Sequence, residues 1–391
     1  QAFPQAGRPS AFPTALGAVV ETGAPSAVVV SPTALERIGG EVSVAAECPD
    51  DDLSSLQIEV RAGGGAFVPL GPPLPGPPYV AVLDPGQLSS PVLELRAVAT
   101  DRNGNVDPAP ASTFVFFDPE PGPPAVTART NGYAVSVSWT DPNPAGRVSG
   151  FEVAREGVSL LPQPAAPAGT ASAGNTASRP AASGYDGNTY SPWYTLAAVP
   201  QWWRLDLASP VLASALDVNL FRTSDLEIAV RVRGVWVSLD RRVRAGGSSQ
   251  LSIDPPLEIQ GVRLSFLSAP ETYVGLYELG VSAVPLQQAP PVADSAYYQG
   301  TFGYRVGAVT PFGRRAGAEA TVRVYAPTLH APPAAVARSP VQLTGEGADP
   351  GSTVRIASGG TPVAEGLAGD DGTFAIDAPL SVGTSQLTAV A

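Results

Sequence analysis

Asp101, Asn103, Asn105 and Asp107 alternate through one short stretch, and four oxygen-bearing side chains at that spacing could be aimed at a Ca²⁺ ion. The same stretch holds Asn103-Gly104, a two-residue signal for a tight hairpin, and the turn is the preferred reading. Catalytic chemistry is scarce. The sole histidine, His330, lies in PTLHAPP, which leaves no Ser-His-Asp or Cys-His arrangement and no multi-histidine metal site. No phosphate-binding glycine loop or dinucleotide fingerprint occurs. The acidic residues fall in turns and on strand surfaces rather than in pairs flanking a cleft, which argues against glycoside hydrolysis. The chain reads as non-catalytic. Cys48, the only cysteine, cannot form an intrachain disulfide and sits in strand-like EVSVAAEC, where a small buried hydrophobe is its simplest role.

The elements that must carry these residues are strands. At 391 residues the chain is too long for one core, and domains of roughly 100 to 150 residues give about three or four of them. Hydrophobic residues make up 44%, while 41 Gly and 43 Pro sit between apolar alternating runs, the pattern of many short strands joined by turns. The prediction is an all-β chain of tandem β-sandwich domains. A net charge of -12 excludes nucleic acid as a partner, because a phosphate backbone needs a basic stripe. No lysine and no methionine occur, so all 23 basic residues are arginine, as in a protein from a GC-rich bacterial genome. No run of about 18 apolar residues is present to span a membrane. Gln1 is read as a start processed by removal of a signal peptide, which places the chain outside the cell or on its surface.

Residues 1 to 23 carry scattered Pro, Gly and Ala and are expected to form an extended arm. From Ala24 the runs SAVVVSP, GEVSVAAEC, LSSLQIEVRAG, PYVAVLD, VLELRAVATD and STFVFFD are spaced for a sandwich over 24 to 118. LELRAVATDRNGNVDPAPASTFVFFD resembles the last hairpin of bacterial immunoglobulin-like repeats of secreted and surface proteins. PEPGPPAV then forms a semi-rigid boundary. AVSVSWTDP around Trp139, GFEVAREG, YRVGAV and ATVRVYAP resemble a fibronectin type III domain, split into 119–164 and 287–328. Tyr304 matches that family's core tyrosine, which implies packing with its hydroxyl satisfied by backbone. Residues 332–391, with ADPGSTV and DDGTF as turn marks, are similar to another small immunoglobulin-like repeat in which Asp370-Asp371-Gly372 reads as a hairpin turn. The chain ends inside a strand pattern, and further repeats are expected beyond it.

The split is filled by residues 165–286. DGNTYSPW, PQWWRLDLASP, VRGVWVSL, GVRLSFLS and VGLYELGV, in that order, resemble the discoidin or coagulation-factor C-type module, a galactose-binding-like sandwich. That resemblance implies a non-catalytic binder of sugars, lipid head groups or proteins. It further implies a structural Ca²⁺ at Asp186, Gly187, Asn188 and Ser191, completed by Glu278. The alternative is a turn stabilised by the Asp186 and Asn188 side chains. A sugar site would lie in the loops at one end of the sandwich, where Tyr190, Tyr194, Arg222, Asp225 and Tyr273 supply aromatic faces and hydroxyl-bonding groups. Arg222 leads these, since it follows LDVNLF where sugar-binding relatives carry Arg. Trp193, Trp202 and Trp236 fall on packing positions of the family. Trp203 faces the other side of its strand, with Leu205 and Leu207 beside it, and is also read as buried.

The preferred function is a structural or adhesive segment of an extracellular fibre, sheath or layer, with other copies of itself or other surface proteins as partners. The alternative is carbohydrate binding through the inserted module, with glycans as partners.

Overall fold

A computed structural model describes residues 23–176, 179–269, 273–296, 299–325, 327–330, 340–380 and 386–390, apart from the side chain of Thr223. The expected N-terminal arm, Gly23 excepted, lies outside the described residues. The chain is all-β and divides into two compact units, 1–117 and 118–391.

In the first unit the strands are β1 (Val28–Ser31), β2 (Arg37–Ile38), β3 (Val42–Glu47), β4 (Leu53–Ala62), β5 (Val68–Pro69), β6 (Tyr79–Leu83), β7 (Val92–Asp101) and β8 (Ser112–Phe117). They form two sheets in the orders β1-β3-β6 and β2-β8-β7-β4-β5. Alternation sorts the side chains. Leu56, Ile58 and Val60 of β4 and Leu93, Leu95, Ala97 and Ala99 of β7 point into the core, since successive residues of a strand face opposite sides. Cys48 is half-buried against this core, and its thiol donates to Asp50.

The second unit begins with β9 (Ala125–Asn131), β10 (Ala134–Thr140), β11 (Gly150–Arg155) and β12 (Val158–Ser159). Then come β13 (Gly169–Ala173), β14 (Trp193–Thr195), β15 (Gln201–Val232), β16 (Val235–Ser268) and β17 (Val274–Ala283). After these, β18 (Val292–Ser295), β19 (Gly300–Val309) and β20 (Arg315–Val324) pair with the first group and not with the strands between. The sheets are β18-β10-β9 and β12-β11-β19-β20, with Gly150 opposite Val309 and Arg155 opposite Tyr304. Trp139, Phe151, Val153, Tyr304, Val306 and Ala308 fill the core between them, Trp139 tilted on Phe151 at 5.2 Å.

Tyr304 is fully buried, but its hydroxyl does not go to backbone as expected. It donates to Asp294 Oδ2 at 2.8 Å, and Arg155 holds the same carboxylate at 2.7 Å. A charged acceptor already fixed by Arg155 makes the stronger bond. Burial, followed by the bond to Asp294, pushes the phenol up to about 12.

The intervening strands form a sheet in the order β13-β15-β17-β14, with β16 paired to β15. β15 and β16 are long because each passes through bends. Residues 201–206 of β15 pair with 261–266 of β16, the register breaks between Asp206 and Val211, and 211–220 then run between β16 and β17. The chain leaves the host and rejoins it at one host strand. On the way out, Leu160 N–H donates to Val153 of β11 at 2.9 Å, and on the way back Gln287 and Phe151 exchange backbone bonds of 2.9 and 2.8 Å. A direct contact also joins guest and host. Glu258 N–H donates to the Pro311 carbonyl at 2.7 Å, and the Glu258 carboxylate accepts from Ser149 Oγ. Gly313 makes this approach possible, with φ +87° and only 2.3 Å between a notional Cβ and the Pro256 oxygen.

Of the paired tryptophans, Trp203 is buried as expected and Trp202 is not. Trp203, 0% exposed, is the core residue and donates from Nε1 to Ala181 O at 2.8 Å. Trp202 is 39% exposed and lies against Gly174. Trp203 shares its parity with buried Leu205 and Leu207, so Trp202 must take the outer face with Arg204 and Asp206. Trp193 is buried as expected, whereas Trp236 is half-buried with the Arg263 and Arg231 guanidinium groups 4.9 and 5.8 Å from its ring.

The remaining strands are β21 (Thr328–Leu329), β22 (Val341–Glu346), β23 (Thr353–Ser358), β24 (Thr361–Leu367), β25 (Phe374–Ala378) and β26 (Leu387–Val390), in sheets β21-β22-β25 and β24-β23-β26. Val341, Leu343, Val354, Ile356, Phe374 and Ile376 close their core.

Candidate functional site

In the middle of β15, Leu216, Val218 and Leu220 are buried, so Asp217, Asn219 and Phe221 take the outer face of the sheet. On the neighbouring β17 the ladder pairs Asn219 with Glu278 but Leu220 with Leu276. Tyr277 is therefore an extra residue in a β-bulge, which turns both Tyr277 and Glu278 away from the core. One device thus sets an aromatic ring and a carboxylate side by side.

Around the bulge the rings gather. Phe221 meets Tyr277 edge-on at 5.2 Å, Tyr273 at 5.9 Å and Tyr194 of β14 at 5.7 Å, and Tyr194 stands 6.3 Å from Tyr273. Arg222 lies over the Tyr273 and Phe221 rings at 5.1 and 5.2 Å and donates from Nη2 to the Tyr273 hydroxyl at 2.7 Å. Each aromatic pair contributes about 0.5–1.5 kcal/mol beyond its area, and the guanidinium about as much again, so the group is pre-ordered. Aromatic faces beside a multiply donating guanidinium match a ligand with an apolar C–H face and a rim of hydroxyls.

The structure brings together Arg222, Tyr194 and Tyr273, and adds Phe221 and Tyr277, which the sequence reading did not name. Tyr190 and Asp225 do not join the ring cluster. Tyr190 is 92% exposed, and its amide donates to Asn188 Oδ1. Asp225 accepts from Ser268 Oγ and from the Arg244 amide, bonds that hold its carboxyl below the usual range. Its oxygens serve the fold.

Asp186, Asn188 and Ser191 form a tight turn in which Gly187 has φ +76°. Asp186 Oδ1 accepts the Asn188 amide at 2.8 Å, and the Asn188 carbonyl accepts from the Ser191 amide at 3.3 Å. These are the bonds of the turn reading. Glu278, brought from β17, faces the same loop. Burial raises its carboxyl, the nearby Asp186 carboxylate adds to the rise, and the amides of Gly187, Asp186 and Asn188 offset part of it. Glu278 Oε2 is buried without a hydrogen-bond partner. An orphaned acceptor beside a second carboxylate has the donor chemistry that a hard cation satisfies, so the residues fit Ca²⁺. The carboxylates are few, and among the described residues no three His, Cys, Asp or Glu side chains gather as a metal group.

The turn at 101–107 is built differently. Asp101, 2% exposed, accepts the amides of Asn103 and Asn105 on Oδ1 and the Asn105 side chain on Oδ2, at 2.9, 2.7 and 2.7 Å. Burial alone would raise its carboxyl, but these donors outweigh burial and hold it below the usual range. Asp107 Oδ1 accepts the Ala109 amide, and its Oδ2 is buried without a partner. His330 stands 3.6 Å from Glu346 on the surface.

No family model matches the chain, and no curated protein matches it. Among solved structures it is similar to the family 32 carbohydrate-binding module of NanJ from C. perfringens, in complex with galactose, at 21% identity over 29% of this chain and 92% of that one, with a TM-score of 0.27. A second likeness, to CpGH89CBM32-6 produced by Clostridium perfringens, has 16% identity over 30% of this chain and 94% of that one, with a TM-score of 0.27. A 1.5-MDa bacterial ice-binding adhesin aligns over 93% of this chain and 94% of that one at 10% identity, with a TM-score of 0.21. At these TM-scores the functional weight rests on the geometry of the site. No helix among the described residues is long and apolar enough to cross a membrane.

Proposed function

We propose that this chain is a non-catalytic, secreted or surface-displayed segment of tandem β-sandwiches whose inserted sandwich binds glycans at Arg222, Tyr273, Phe221 and Tyr194. The carrying observation is the Arg222 guanidinium lying over two rings while bonded to the Tyr273 hydroxyl. Such a group offers a flat apolar face and fixed donors at once, as a sugar ring requires. A glycan array probed with the full chain tests this. Binding that falls at least about tenfold in Arg222→Ala supports the reading, a loss of roughly 1.4 kcal/mol. A wild-type chain that retains no glycan above background sinks it.

A Ca²⁺ ion belongs to the same proposal, held by Glu278 and Asp186 with Asn188 and Ser191 supplying the remaining oxygens. When bound, it would compensate the buried carboxylate and stiffen the loop beside the sugar site.

Assembly through protein contacts is the second reading. Val28, Val30, Val80 and Val82 leave an exposed apolar face on the β1-β3-β6 sheet, suited to other copies of the chain or other surface proteins. Filaments that grow with concentration under negative stain, and vanish in Val82→Glu, would support it. A chain that stays monomeric at high concentration would remove it.

A further inference from the structure

The outer face that carries the ring cluster does not end there. Two residues along β15 from Phe221 comes Asn219, and two further comes Asp217, each on the same side of the strand. Across the ladder Asp217 pairs with Gln250 of β16 on one side and with Gly280 of β17 on the other. A cavity of about 460 Å³ opens here, lined by Asp217, Asn219, Ser248, Gln250, Glu278 and Gly280 among others. Gly280 keeps it open, since a Cβ at that position would stand 3.1 Å from Asp217 Cβ. Gln250 Nε2 donates to Asp217 Oδ1 at 2.9 Å, which fixes both side chains as a cross-strand pair.

We propose that this groove is the continuation of the ring-and-arginine site and takes the further units of a neutral oligosaccharide, so that the guest sandwich reads a chain and not a single terminal sugar. The inference rests on the glycan reading above and deepens it. Continuity along one strand face supplies the path. The lining residues carry hydroxyls, amides and carboxylates that bond sugar hydroxyls, while most of the surface they present is apolar and packs against the C–H faces of the units. Its exposed charge is that of Asp217, since Glu278 turns to the 186–191 loop, and among the described residues no basic side chain lines it. Units bearing carboxylate or sulfate are therefore repelled from the groove, while neutral units are accepted. The ring cluster anchors the first sugar, and the groove grades the units beyond it.

Titration calorimetry on the full chain tests this, using neutral monosaccharides, the matching oligosaccharides, and oligosaccharides with uronate at the added units. The neutral oligosaccharide is expected to bind about tenfold tighter than the monosaccharide, with the uronate form losing that gain. In the double variant Asp217→Ala/Gln250→Ala, both positions being exposed, the gain should vanish while Arg222-dependent monosaccharide binding and thermal stability remain. An oligosaccharide no tighter than its monosaccharide, or a gain that survives the double variant, overturns the groove and leaves the Arg222 site standing. A gain kept by the uronate form overturns the neutral selectivity. Absence of any sugar binding by the wild type overturns both.

Discussion

Two turns of nearly the same residue types, 101–107 in the first unit and 186–191 in the guest sandwich, hold their carboxylates in opposite ways. At 101–107 the central acid belongs to the turn, and N–H groups of Asn103 and Asn105 surround both of its oxygens. At 186–191 the central acid, Glu278, comes from a distant strand and stands beside Asp186. Each leaves one buried oxygen unpartnered, Asp107 Oδ2 in the first and Glu278 Oε2 in the second. The neighbours decide the sign: donors pull Asp101 down, while burial and a second carboxylate push Glu278 up. Turn chemistry visible in a sequence therefore does not settle cation affinity. What the fold places beneath the turn decides whether the carboxyl is pulled down or pushed up.

Four experiments bear on this contrast. The largest effect is expected for Asp101→Ala, which strips three hydrogen bonds from a buried turn and should lower the melting temperature of the first unit by several degrees. If melting is unchanged, the turn is not held by Asp101. Next, added Ca²⁺ should raise the melting of the second unit, by about 2.7 kcal/mol of stability at a hundredfold excess over Kd, with Glu278→Gln abolishing the shift. A shift in the first unit instead would reverse the comparison.

The pH dependence comes from Asp101. Its folded carboxyl titrates below its unfolded one, so its contribution is complete above the ordinary carboxylate range and is lost as pH falls through the depressed value. Asp101→Asn should flatten the acid limb of the first unit's stability curve. An unaltered limb would place the acid sensitivity elsewhere. Smallest of all is Asn103→Ala, where the backbone amide makes the bond and the side chain is exposed, with a change within about 0.5 kcal/mol by denaturant melting.

How much of this could be read in the sequence depends on whether the signal was local parity or long-range placement. The return of YRVGAV to GFEVAREG was legible because Tyr304, Val306 and Ala308 alternate with no interruption, and the ladder pairs β11 with β19. Parity with Leu205 and Leu207 also read Trp203 correctly as buried, while the family packing pattern misled for Trp202. Alternation puts Phe221 on the face of Asp217 and Asn219 but sends the adjacent Arg222 to the other side, so parity could not have joined the two. Tyr277 was beyond reach, because a bulge resets the parity of β17 and nothing in VGLYELGV marks where. The unpartnered oxygen of Glu278 was equally hidden, as it depends on a loop some ninety residues earlier.

The chain's exit from and return to the host at β11 has a mechanical consequence. Leu160 and Gln287 leave and rejoin the host beside one another, each tied to the same strand. Tension drawn along the chain passes from β9 to β20 through the host's own sheets, and the guest hangs as a side branch outside the load path. On the glycan reading proposed above, the sandwich that carries the Arg222 cluster stays outside that load.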